Sequence, residues 1–172
     1  WNWNHSNEAM TRAVGCYDFQ HEPESALQAM TATETESVIL HELGEARVGA
    51  DLGEDWSQML AALMRTRAEI FARAVRDLYA DCLSTLPGLL VRDNPASIHF
   101  YFANFTGMRR KLFPELAVAY QVWLEKGDPA ELQWVSDAGC LKWQASARRM
   151  IELFQQHGEA AGPLIERMLE PA

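Results

Sequence analysis

The segment from Glu34 to Asp51, E-T-E-S-V-I-L-H-E-L-G-E-A-R-V-G-A-D, puts ionisable groups on a helix face expected to be buried. His41 and Glu45 are one helical turn apart, because a helix advances about 100° per residue and i, i+4 side chains overlie one another. The same stripe continues through Val38, Val48 and Leu52. An imidazole and a carboxylate on such a face are costly to bury unless something pairs with them. A metal ion is one such partner, since His and Glu a turn apart can share a cation. A purely internal hydrogen bond is the other. Gly44 sits between the two, at a cost of about 1 kcal/mol relative to Ala in a helix. A glycine there leaves room for another helix or a ligand to approach closely.

Two further histidines are candidates to close a metal shell. His5 lies three residues before Glu8 near the N-terminus, beside Trp1 and Trp3, which suggest that the terminus docks. His99 lies on an aromatic helix with Phe100, Tyr101, Phe102 and Phe105, and is the best third partner from a distant segment. The expected ligands are therefore His41 and Glu45, with His99 or His5. A mixed nitrogen and oxygen set suits zinc, iron, manganese or nickel alike. Glu34, seven residues before His41, stands about 10 Å further along the axis and reads as a first-turn carboxylate complementing the helix dipole. Glu42 points away from His41, and His21 and His157 read as surface residues. The basic run Arg109-Arg110-Lys111 reads as the cationic end of a helix, with anion binding as the alternative. Trp56, Trp123, Trp134 and Trp143 fall at helical spacing and read as core.

The elements that must position these groups are helices almost throughout. Thr33-Glu34-Thr35-Glu36 is a capping-box pattern expected to start the helix carrying His41, and Gly53 is expected to stop it. Asp55-Trp56-Ser57-Gln58 is a second box, opening an apolar i, i+3, i+4, i+7 pattern that runs to Cys82. Leu86-Pro87-Gly88 is expected to end that helix. Asn94-Pro95 opens a helix to about Lys111, Pro114 restarts one that runs to Gly127, and Asp128-Pro129 opens another. Cys140 to Gln156 is amphipathic, and Gly162-Pro163 opens a short last helix. Before Thr33, helices are expected over about 6–17 and up to Met30. Sustained period-2 alternation is missing, so the chain reads as all-α: a single-domain bundle of about seven to eight helices spanning residues 1–172.

Composition narrows the partners. With 172 residues, 48% hydrophobic and 23% charged, the chain can bury its own core. A net charge of −9 argues against nucleic acid or an anionic membrane surface. No apolar run is long enough to span a bilayer, and no signal peptide is evident. Cys16, Cys82 and Cys140 are odd in number and never in a C-x-x-C pair, as suits reduced thiols in a cytoplasm. The chain opens on Trp1 in place of Met, as a processed start or the main part of a longer protein would.

Three resemblances bear on function. His41-Glu42-Leu43-Gly44-Glu45 resembles the zincin metalloprotease motif H-E-x-x-H, with Glu45 where the second histidine belongs and Asp51 at the third-ligand spacing. It implies, at most, a degenerate zincin-like hydrolase. The all-α pattern with His and Glu on a buried stripe resembles ferritin-like, hemerythrin-like and haem-oxygenase-like helical metalloproteins, and Glu34-x6-His41 is similar to a paired-ligand pattern of the last group. Leu86-Pro87-Gly88-Leu89-Leu90 and Ser97-Ile98-His99-Phe100-Tyr101-Phe102 through Lys111-Leu112-Phe113-Pro114 look similar to an uncharacterised bacterial all-helical family, which implies an all-α fold over most of the chain. The leading expectation is a helical bundle binding a divalent metal through His and Glu, its reaction unspecified and its status as an enzyme open. The alternative is a metal-free scaffold or interaction domain with a protein or small-molecule partner.

Overall fold

A computed structural model of the chain describes residues 7–170. Helices follow one another with no strand among the described residues: α1 (Glu8–Gly15), α2 (Pro23–Ala62), α3 (Arg67–Ala80), a π-turn (Asp81–Thr85), α4 (Leu86–Arg92), α5 (Pro95–Asn104), α6 (Gly107–Leu112), α7 (Pro114–Lys126), α8 (Ala130–His157), a 3-10 turn (Gly158–Ala161) and α9 (Gly162–Leu169). The chain is a single all-α domain. α3, the π-turn and α4 form one rod, with α8 and α2 packed along it. The core between them is filled by Phe71, Met59, Leu63, Leu78 and Trp143, all fully buried. α5 lies against α1, and α7 runs along α8. None of the described helices is long and apolar enough to cross a membrane.

Several helix ends follow their local signals. Asn94 caps α5 through its side chain, which accepts from the Ala96 N–H, with Pro95 in the first turn. Pro114 opens α7 and Gly127 closes it with φ 68°. Gly162-Pro163 opens α9.

Other ends differ from expectation, each for a physical reason. The helix carrying His41 does not start at Thr33. It starts at Pro23 and runs through the box residues, because Glu34 and Ser37 are buried against α5 instead of capping a terminus. Gly53 does interrupt the helix as expected, its φ 69° and ψ −160° being non-helical and free of strain only for glycine, but the chain resumes at once, so two helices run together across a kink within α2. The pattern from Trp56 to Cys82 is not one helix. It breaks at Arg65 (φ 67°), where the Thr66 side chain accepts from the Glu69 N–H and Glu69 in turn accepts from the Arg65 N–H at 2.6 Å. The string Thr66-Arg67-Ala68-Glu69 has the capping-box pattern, with Glu69 reaching the N–H one residue before the cap. Leu86-Pro87-Gly88 does not end the rod, because the π-turn immediately precedes it. The wider turn takes up the proline ring and its missing N–H, which a regular helix would have set against the Leu83 carbonyl. The expected helix to Lys111 divides into α5 and α6, and the segment from Asp128 onward is one helix to His157. Trp56 and Trp143 are core residues, whereas Trp134 is 67% exposed.

Candidate functional site

Gly44 is where α2 meets the α3/α4 rod. A Cβ built there would stand 2.6 Å from the Ala80 carbonyl oxygen and 3.1 Å from Ser84 Cβ, so only glycine lets the two backbones come this close. Ser84 Oγ donates to the Leu40 carbonyl at 2.8 Å and fixes the same crossing. The close approach brings the π-turn against the His41 face of α2, and the π-turn begins with Asp81.

Asp81 is wholly buried and joins four parts of the chain. Its Oδ1 faces His41 Nδ1 at 2.9 Å and accepts from Thr85 Oγ1 at 3.2 Å. Its Oδ2 accepts from Tyr101 Oη at 3.0 Å and Arg109 Nη1 at 2.8 Å. A buried carboxylate is tolerable only when satisfied in this way. Arg109 is itself fixed by a second bond, from Nη2 to the Asn104 carbonyl at 2.9 Å. Burial, with the nearby Asp81, drives the Tyr101 hydroxyl well above its usual range, so it serves as a neutral donor.

His41 bridges this hub and a second one. Its Nε2 is 3.3 Å from Glu45 Oε1, and that oxygen also accepts from Arg76 Nη2 at 2.8 Å, with Asp77 Oδ1 on the same Arg76 nitrogen at 3.0 Å. A carboxylate opposite each ring nitrogen suits the doubly protonated ring, in which both nitrogens are donors. The hydrogen bond to Asp81 raises the His41 pKa. Burial opposes the rise, while the charges of Asp81, Glu45 and Asp77 add to it. With His41 protonated, three cations (His41, Arg76, Arg109) face three carboxylates (Glu45, Asp77, Asp81).

A cavity of about 290 Å³ opens beside this network, lined by Ser37, Val38, His41, Asp81, Thr85, Phe100, Tyr101, Asn104 and Arg109. Val38 and Phe100 supply its apolar walls, and four of its polar residues, His41, Thr85, Tyr101 and Arg109, converge on Asp81. Next to it, Glu34 is buried between α2 and α5, accepting from Ser37 Oγ at 2.8 Å and Ser97 Oγ at 3.1 Å. Burial raises the Glu34 pKa, against the two serine hydrogen bonds. The first-turn role expected of Glu34 is thus replaced by a core contact one turn below the cavity.

The structure brings His41 and Glu45 together, half-buried rather than fully enclosed, with Val48 and Leu52 continuing the stripe inward and Val38 exposed. His99 is elsewhere: its Nδ1 is 2.7 Å from Tyr120 Oη and its ring packs on Trp123. His5 lies outside the described residues, as do Trp1 and Trp3. Asp51 does not join His41 but accepts from Tyr79, Gln144 and Arg148. Glu42 is exposed, and so are His21, which pairs with Asp18, and His157. Among the described residues, no group of three or more His, Cys, Asp or Glu side chains is arranged to hold a metal ion. Of the carboxylates beside His41, Glu45 Oε1 accepts from Arg76 and Asp81 Oδ2 accepts from Arg109. Asp81 and Tyr101 are not among the expected site residues, and Arg109 is expected only as the cationic end of a helix or an anion site. The signal for Asp81 was an acid inside an otherwise apolar helical stretch, directly before Cys82.

Neither the curated proteins nor the solved structures contain a match to this chain. A family model does match, over residues 1–172: the chain belongs to the family of unknown function DUF6866, as its C-terminal domain.

Proposed function

We propose that the cavity beside His41 binds a small, largely apolar molecule carrying one hydrogen-bond-accepting group, with the charged imidazole as the donor that meets it. One observation carries this reading: Asp81 gathers donors from α2, the π-turn, α5 and α6, and all four donors line the same cavity. Apolar walls around a few converging polar groups are the usual make-up of a small-molecule site. The network holds His41 in place before any ligand arrives, and its Nε2 is held only by the longer contact to Glu45. A raised imidazole pKa is what a proton donor near neutrality needs, so the same arrangement can serve general-acid chemistry. Acetophenone, a carbonyl on a small apolar body, is a direct probe. Titrated into isotopically labelled protein, it should produce saturable NMR shifts at Val38, Phe100 and the His41 ring. Affinity should fall about tenfold in His41→Gln, the effect of losing one charged hydrogen bond. Unchanged affinity in that variant, or no saturation in the millimolar range, would overturn the reading.

A second reading, a divalent cation on His41 and Glu45, draws on a different observation. Two ligands at about 2 Å from a tetrahedral ion stand roughly 3.3 Å apart, and the Nε2 to Oε1 distance is 3.3 Å. Asp81 behind the ring is the kind of carboxylate that orients a metal-binding histidine. Against it stands Arg76, whose guanidinium occupies the same Glu45 oxygen. Metal analysis after metal-replete expression, with His41→Ala as control, separates the two: a stoichiometric metal lost in the variant favours the cation, and none favours the apolar ligand.

A further inference from the structure

The basic run Arg109-Arg110-Lys111 divides its three charges. Arg109 turns to Asp81, and Lys111 reaches the α6–α8 side beside Trp143. Arg110 lines a second and larger cavity, of about 440 Å³, between α1, α5 and α7. α1 is pinned over this cavity by Asn7 Nδ2, which donates to the Ala103 carbonyl at 2.8 Å. Arg12 of α1 enters the lining from that side, so two arginines from separate helices line one cavity. Among the described residues neither forms an ion pair.

The rest of the lining qualifies what fits. Phe102, Phe105 and Leu124 supply an apolar wall, Gln121 and Tyr120 supply polar edges, and Glu8 is the one carboxylate. Tyr120 is engaged by His99 behind it. The lining charge is then two cations against one anion, a net single positive charge. A monoanion neutralises it, whereas a dianion would be left facing Glu8. The charge of Arg12 is felt at the cavity wall: burial raises the Tyr120 pKa, and Arg12 opposes that rise.

We propose that this α1–α5–α7 cavity is a separate binding site for a small organic carboxylate, its charge met by Arg12 and Arg110 and its apolar body laid on Phe102, Phe105 and Leu124. Guanidinium suits this role, because its planar fork matches carboxylate geometry. The site is independent of the His41 cavity, since α5 and α6 present different residues to each.

The test compares phenylacetate with its neutral isostere phenylacetamide, by NMR titration of the labelled full chain. Phenylacetate should shift Ala103, Ala117 and Gln121, bind at least tenfold more tightly than the amide, and weaken as salt rises from low to high ionic strength. The preference should vanish in the Arg12→Gln, Arg110→Gln double variant and drop at least threefold in each single variant. Arg47→Gln, another exposed arginine, should leave it unchanged. Both targeted side chains are exposed, and circular dichroism checks that each variant is folded. Equal binding of acid and amide overturns the proposal, as does a preference that survives the double variant, or shifts mapping to the His41 cavity. Inorganic phosphate binding more tightly than phenylacetate would also overturn it, by assigning the site to a phosphoryl group.

Discussion

His41 and His99 sit mid-helix, each with a short hydrogen bond at Nδ1, 2.9 Å to Asp81 and 2.7 Å to Tyr120. Their surroundings drive them apart. His41 faces a buried carboxylate, with Glu45 and Asp77 nearby, and its pKa goes up. His99 faces a phenol and an indole, and burial together with Arg12 takes its pKa down. Burial lowers both pKa values, so on its own it would move the two rings the same way. The charge of the distant partner decides the outcome. Asp81 reaches His41 only because Gly44 lets the rod come close, and among the described residues no comparable acid faces His99.

The largest way to break this contrast is to remove Asp81. Asp81→Ala leaves His41 and Arg109 without their buried counter-charge and should cost about 3–5 kcal/mol of unfolding free energy, measured by urea denaturation. Next comes the crossing itself. Gly44→Ala sets a methyl against the Ala80 carbonyl and should cost about 1–3 kcal/mol despite its better helix propensity. Gly49→Ala, with open space at its Cβ, should gain up to about 1 kcal/mol. If both glycines respond alike, close approach is not what Gly44 serves. On the His99 side, Tyr120→Phe removes the polar contact at Nδ1 and should cost about 0.5–1.5 kcal/mol while leaving His41 unchanged. The smallest effect should come from Glu45→Gln, under about 1 kcal/mol, because the pair is partly exposed and Asp81 is the main cause of the His41 shift.

The two rings also give opposite pH dependence. A raised pKa in the folded state means that the His41 contribution is complete below its unfolded value of about 6.5 and lost as pH rises through the folded value. A lowered one means that the His99 contribution is complete above about 6.5 and lost as pH falls through the folded value. Stability profiles of His41→Gln and His99→Gln should therefore deviate from the parent on opposite sides of neutrality. A metal on His41 would reverse the first sign, since protons would then compete with the cation.

Much of this molecule can be read from local patterns. The all-α class, the Asn94-Pro95, Pro114 and Gly162-Pro163 starts, the one-turn pairing of His41 with Glu45, and the close approach at Gly44 each follow from a few neighbouring residues. What escapes is non-local. Asp81, Tyr101 and Arg109 lie 40 to 68 positions beyond His41, and only packing brings them to it. The π-turn has no periodicity of its own, so Pro87 reads as a stop. Glu34 in a capping-box string is indistinguishable from a helix start until Ser97 is seen across from it. The Thr66–Glu69 box lies inside an apolar period that runs on unbroken through it, so periodicity alone hides the break at Arg65.

The central claim is that Asp81 fixes His41 as a cation while His99 stays neutral, and the direct measurement is an NMR pH titration of both imidazoles in the parent and in Asp81→Asn. The parent should titrate His41 above 6.5 and His99 below it. Asp81→Asn should pull the His41 midpoint down and leave that of His99 in place. A His41 midpoint at or below that of His99, or one that Asp81→Asn does not move, would contradict the account.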